Sequence, residues 1–296
     1  MSQTDIYTDW ENPPECDLMI INSDNPFAEE MMANQPNAKA IMLKLSHNAR
    51  FKTIEEGNLR LPNWDHIITS TNTMKEAAMK PHEGWRHQAW PEDKVTRIGW
   101  YHYAHPLFDC PPQNRTFGKI EEKIIIGTLI HGHKLKGTRL AIAVMEALKR
   151  KYGEKIVCVG VGECIMKPKP EWLTYIYKAT RSEMASVFRQ LDVWIGASHT
   201  EGLGRLPLEV MSAGAVVVSS NTGAEFMAHE ENCLLYPIGN AQECGNTVQT
   251  LINTPELFTK LSLNGYQTAV NMSSSIGYVT NISQAIGKVM EKIDAV

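Results

Sequence analysis

The chain has 296 residues, 43% of them hydrophobic and 21% charged, which is enough for two domains of ordinary size with real cores. Its formal net charge of −4 supplies no global basic field, arguing against tight sequence-independent binding to nucleic acid or to an anionic membrane. The polar, acidic start and the absence of a run of about 18 apolar residues exclude a signal peptide and a membrane span, so a cytoplasmic protein is expected, at most peripheral to a membrane. Cys16, Cys110, Cys158, Cys164, Cys233 and Cys244 are scattered without a CxxC pair, as reduced thiols would be.

From Asp17 onward, short apolar runs alternate with longer amphipathic stretches. Asp17–Asn22, Lys39–Ser46, His66–Ser70 and Val95–Gly99 read as strands, with helices expected over Pro26–Met32 and Thr73–Lys80, the rhythm of βαβ units. Pro106–Gly118 has no apolar periodicity and reads as a linker, so the first domain is taken to end near Phe117. The pattern then restarts: Lys123–Ile130 is a strand, Thr138–Lys151 a helix with Leu140, Val144 and Leu148 on one face, and Lys155–Gly160 the next strand. Leu173–Tyr177 and Val193–Ala197 are further strands, separated by a helix that Ser182 is placed to cap. Leu206–Ala213 reads as a helix stopped by Gly214, before the fully apolar strand Ala215–Val218, whose composition implies a sheet covered on both faces. The remainder from Ala241 is mostly helical and ends in Val279–Ile293, with Ile282, Ile286, Val289 and Ile293 as its stripe. Two doubly wound α/β domains follow, with ligands expected beyond the carboxyl ends of the strands.

The segment richest in chemistry is Ser198-His199-Thr200-Glu201-Gly202-Leu203-Gly204-Arg205-Leu206-Pro207-Leu208-Glu209. Gly202 and Gly204 let backbone approach a ligand, and the helix opening at Leu206 offers free N–H groups and partial positive charge, which together make an anion site. Glu201 and Glu209 flank it with seven residues between, and carboxylates accept hydrogen bonds from sugar and ribose hydroxyls. An arbitrary glutamate pair would more often be a helix cap and a surface ion pair.

These residues, continued by Val210-Met211-Ser212-Ala213-Gly214, by Ser219–Glu225, by Glu231–Tyr236 and backwards through Ala185–Ser198, resemble the signature of glycosyltransferase family 4 over most of the C-terminal half. The resemblance implies an α/β fold of GT-B type, two Rossmann-like domains facing across a cleft. They would be residues 1–117 on the acceptor side and 118–277 on the nucleotide-sugar side, with 278–296 a helix returning toward the first. It implies a retaining transfer of a hexose-type sugar from a UDP- or GDP-type donor to an acceptor hydroxyl, with no metal and no cofactor beyond the donor. Glu209 would bind ribose and Glu201 the transferred sugar, while backbone N–H groups around Gly202, Leu203 and Gly204 hold the diphosphate. Lys136, before Gly137, matches the family's lysine that neutralises the leaving group. His47, at the end of the second strand, matches a histidine near the sugar. Tyr177 and Lys178 fall where the base is accommodated.

Two departures from the family pattern stand out. Thr128 follows Gly127 where an arginine is common, leaving Lys134 or Arg205 to supply the second cation at the donor site, and the loop His131–Leu135 is longer than usual. The family's first βα units have no counterpart before Asp17, so acceptor binding is expected to be rebuilt, shared with a partner subunit, or lost. The acceptor itself, whether a glycan, a lipid-linked glycan, a small molecule or a modified base in DNA, is left open, as is a non-catalytic role for the chain as a nucleotide-sugar-binding subunit of another transferase. His131 and His133 lack the partners of a metal set, Gly160-Val161-Gly162 lacks the third glycine of a dinucleotide fingerprint, and Trp100–Tyr103 reads as core or hinge packing ahead of a platform for stacking on an acceptor sugar or base.

Overall fold

The computed structural model describes residues 16–22, 40–44, 65–79, 90–99, 106–112, 123–201, 204–222, 224–273 and 275–294. The expected helix Pro26–Met32, the aromatic cluster at residues 100–103, and His47, Gly202 and Leu203 lie outside them. The chain divides into two compact units, Met1–Trp100 with Ser275–Val296, and Tyr101–Ser274.

In the first unit β1 (Leu18–Asn22), β2 (Ala40–Lys44), β3 (His66–Thr69) and β4 (Val95–Arg97) pair in parallel in the order of the sequence. Helix α1 (Asn72–Met79) follows β3. The core joins Ala40, Met42, Ile68 and Ile98 to Ala285 and Val289 of α7 (Ser275–Asp294). Tyr278, Ile282 and Ile286 pack around that core, so the stripe of α7 is spent on this sheet.

The second unit carries a six-stranded parallel sheet: β5 (Ile124–Ile130), β6 (Ile156–Gly162), β7 (Leu173–Tyr177), β8 (Val193–Gly196), β9 (Val216–Ser220) and β10 (Leu234–Tyr236). Its spatial order is β10-β9-β8-β5-β6-β7. From β5 the chain winds outward through β6 and β7, returns to β8 on the other side of β5, and winds the opposite way through β9 and β10. Neighbouring β5 and β8 therefore launch their crossovers in opposite directions, and a crevice opens above their carboxyl ends.

Both faces of this sheet are covered, as uniformly apolar strands require. On one face Ile126, Val193, Ile195, Val216 and Val218 meet Ala141, Val144, Met145 and Leu148 of α2 (Thr138–Tyr152) and Val248 and Leu251 of α5 (Ala241–Asn253). On the other, Trp194 meets Phe188 of α3 (Arg181–Gln190) edge-on, with ring centroids 5.4 Å apart. Helix α4 (Arg205–Ser212) lies against α6 (Pro255–Met272). Among the described residues no helix is long and apolar enough to cross a membrane.

Three expectations change locally. Helix α3 is capped by Thr180, not Ser182, through a capping box in which Thr180 accepts from the Glu183 amide and the Glu183 carboxylate accepts from the Thr180 amide. The Thr180 amide and the Thr180 hydroxyl both donate to the Glu183 carboxylate, at 2.7 and 2.8 Å, and hold that carboxyl below its ordinary value. Gly160-Val161-Gly162 lies within β6 instead of following it. Strand β9 runs on through Ser219 and Ser220, both buried, because the Ser220 hydroxyl donates to the Ser198 carbonyl.

Cys158, Cys233 and Cys244 are fully buried, and desolvation pushes each thiol up to about 12. Maleimide at pH 8 should leave these three unmodified in the folded protein and label them in denaturant, as peptide mapping would read directly.

Candidate functional site

The crevice between β5 and β8 is built from two loops. The first, His131–Gly137, leaves β5 and enters α2 through a 3-10 turn at Lys134–Lys136. Its histidines shape it: the His131 ring accepts from the His133 amide at 2.9 Å, and the His133 ring accepts from the Leu135 amide at 3.2 Å. Thr138 closes the loop by accepting from the His131 amide at 2.9 Å. The second loop runs from Ala197 at the end of β8 to Gly204 at the start of α4.

The loops are fastened by backbone, since the His199 amide donates to the Leu135 carbonyl at 2.7 Å. They touch again at Gly137, in a left-handed conformation with φ 65°, where an added Cβ would lie 1.8 Å from the Ala197 carbonyl oxygen. Only a glycine fits there, and it aims Lys136 at the second loop. Lys136 Nζ donates to Glu201 Oε1 at 2.7 Å, and the Ser198 hydroxyl donates to the same oxygen at 2.6 Å. Both ionic partners are about a quarter to a third exposed, so one side of the pair meets solvent.

Glu209 sits in the fifth position of α4 and is 3% exposed. A carboxylate so enclosed requires a counter-charge and hydrogen bonds. Arg181, first residue of α3, supplies them at 2.8 Å, while the exposed Arg205 lies 3.9 Å away.

The two helices that begin at this crevice differ from their neighbours. α2 and α4 start from left-handed glycines, Gly137 and Gly204, with no side-chain cap and no acidic residue in the first turn. α3 and α5 begin under Thr180 and Asn240 caps with Glu183 and Glu243 in their first turns, and α6 has Glu256 in its first turn. The partial positive charge of two helix ends is thus left unopposed by acids of their own first turns, beside a lysine. Such an arrangement receives an anion.

The fold brings Lys136 to Glu201, and Glu209 to Arg205, and sets Gly204 at the start of α4. Lys134 stands exposed in the same loop as Lys136. Thr128 is not brought to the crevice: it is 1% exposed in mid-strand and donates to the Ile195 carbonyl at 2.8 Å, so its hydroxyl is spent inside the sheet. Tyr177 ends β7 at the sheet edge beyond β6 and Lys178 follows it, with Lys178 Nζ 5.4 Å from the Tyr177 ring centroid. Sequence reasoning missed Ser198 and Arg181. Arg181 had a legible signal, because Thr180-Arg181-Ser182-Glu183 has the spacing of a capping box.

Residues 122–254 match the family model described as glycosyl transferases group 1. An uncharacterized glycosyltransferase of Haemophilus influenzae is 26% identical over 166 residues, which are 51% of this chain and 45% of that protein. The chain spans less than half the length of the curated relatives it matches, at 45% and 41%. Among solved structures, HepE of Anabaena in complex with UDP and glucose superposes with a TM-score of 0.69 at 15% identity, over 92% of this chain and 78% of that one. A variant of TarM from S. aureus, in complex with Fondaparinux, alpha-GlcNAc-glycerol and UDP, superposes with a TM-score of 0.69 at 16% identity, over 90% and 55%. These likenesses establish the fold, α/β of GT-B type.

Gly137→Ala should force the two loops apart and cost about 2–3 kcal/mol in chemical denaturation, because it adds a clash to backbone strain. Gly153→Ala, at φ 60° and ψ −132° with nothing within 4 Å of the added carbon, should cost backbone strain alone, about 1–3 kcal/mol, and leave the two loops joined.

Proposed function

We propose that this chain is a glycosyltransferase that moves a hexose from a UDP-sugar to a hydroxyl of a glycan acceptor, with retention of configuration. One observation carries the reading. Two helix ends free of side-chain caps, Lys136 and the carboxylates of Glu201 and Glu209 stand on, or on the helices that leave, the two loops that meet where the sheet reverses its winding. The family match over this half of the chain and the UDP held by HepE and TarM support it.

In this reading the donor's diphosphate lies against the first turns of α2 and α4, where fixed N–H dipoles meet its charge without reorganising. Lys136 moves from bonding Glu201 alone to bridging Glu201 and the phosphate, so its charge is already in place when the leaving group departs. Glu209 accepts the ribose hydroxyls, and Glu201 accepts from the transferred sugar, its orientation fixed by Ser198. Bond cleavage places negative charge on the departing phosphate oxygen. That oxygen then takes the proton of the acceptor hydroxyl, which attacks from the same face, and no separate base is needed. Lysine and helix ends meet the diphosphate charge in this scheme, so it calls for no metal.

The test is a thermal-shift and turnover series with UDP-sugars. A donor at a hundred times its dissociation constant should add about 2.7 kcal/mol of stability. Glu209→Ala should remove most of that shift. Lys136→Ala should lower transfer or donor hydrolysis by about 10²-fold, the scale of losing one charge-stabilising donor. A Glu209→Ala protein that shifts like the wild type would overturn the ribose assignment.

A further inference from the structure

The buried carboxylate of Glu209 has a partner that sequence reasoning did not reach, and that partner is held unusually firmly for a half-exposed side chain. Arg181 opens α3, where the Thr180 and Glu183 capping box fixes its backbone. Its guanidinium donates to Glu209 Oε1 at 2.8 Å and lies over the Phe108 ring, 5.1 Å from the centroid. Phe108 is fully buried and stacks on Phe188 at 5.7 Å, and Phe188 packs edge-on against Trp194 at 5.4 Å. The Leu107 carbonyl also accepts from Arg189, two turns further along α3. A guanidinium, an aromatic pile and a strand of the central sheet thus form one packed series that ends on the carboxylate.

We infer that Arg181 is a positioning residue for donor binding: it fixes the orientation of the Glu209 carboxylate, so that nucleotide hydroxyls meet acceptors already aimed at them. The inference rests on the assignment of Glu209 proposed above. The geometry favours arginine over any other cation. A planar guanidinium can stack on Phe108 with its face while bonding Glu209 with its edge, and an ammonium cannot do both. Arg205 does not replace it, because at 3.9 Å and 64% exposure it contributes solvent-screened attraction without a hydrogen bond. Arg181 serves binding, not the chemical step, since its contacts are with Glu209 and Phe108 and it acts on the ligand only through the carboxylate.

The experiment measures UDP affinity by calorimetry, and KM and kcat for the UDP-sugar, in Arg181→Lys, Arg181→Met, Glu209→Gln and the double variant Arg181→Met with Glu209→Gln. Arg150→Met, which removes an exposed pair with Glu146 on α2, is the control for loss of a surface arginine. Arg181→Lys and Arg181→Met should weaken UDP about tenfold, about 1.4 kcal/mol, and raise KM by the same factor with kcat within about twofold. The control should bind as wild type. In the Glu209→Gln background the Arg181→Met change should add nothing, because its only route to the ligand is already cut.

Losses that add in the double variant would overturn the inference by showing that Arg181 meets the ligand itself. So would a fall in kcat at constant KM, or an Arg181→Lys protein that binds UDP normally while Glu209→Gln does not. Normal UDP binding by Glu209→Gln would instead refute the donor-site assignment, and the inference with it.

Discussion

Two neighbouring parallel strands whose crossovers leave in opposite directions cannot cover the space above their own carboxyl ends. β5 and β8 impose that gap, and the Lys136–Glu201 pair and the two helix starts without side-chain caps stand at its rim. The reversal brings together two loops far apart in sequence and starts a helix from each. The same constraint explains why glycine is required at Gly137: the loops must approach so closely that its α-carbon faces the Ala197 carbonyl. In the first unit the described strands progress β1 to β4 without reversing, so the described residues there offer no equivalent gap.

Charge is arranged around that gap by withholding as well as by supplying. Elsewhere in the unit a helix start is given an acidic residue in its first turn, and α3 and α5 also have a side-chain cap. At the gap both are withheld, and the two glutamates that could have answered the helix ends are tied to cations instead, Glu201 to Lys136 and Glu209 to Arg181. Each carboxylate is therefore oriented before any ligand arrives, which lowers the ordering cost of binding.

Much of this was legible in the sequence. The strands of the second unit are short runs of Ile and Val between turn residues, and the glycines and glutamates of residues 198–209 sit at spacings with direct physical meaning. What was not legible is pairing across distance. Lys136 meets Glu201 over 65 positions and Arg181 meets Glu209 over 28, and both encounters are set by the order of strands, which local patterns do not encode. Ser182 was a plausible cap on residue type alone, and the reciprocal bond to Glu183 decided for Thr180. Thr128 and Ser220 mislead for a common reason: a polar side chain in a strand interior is tolerated once it finds a carbonyl, here Ile195 and Ser198. β10, three residues long, is too short for periodicity to reveal.

The histidine loop holds its shape by a particular arrangement of protons. His131 and His133 each present Nδ1 to a backbone amide, which is possible only while that nitrogen keeps its lone pair and the ring hydrogen resides on Nε2. The loop that seats Lys136 thus owes its shape to which ring nitrogen of His131 and of His133 faces the backbone.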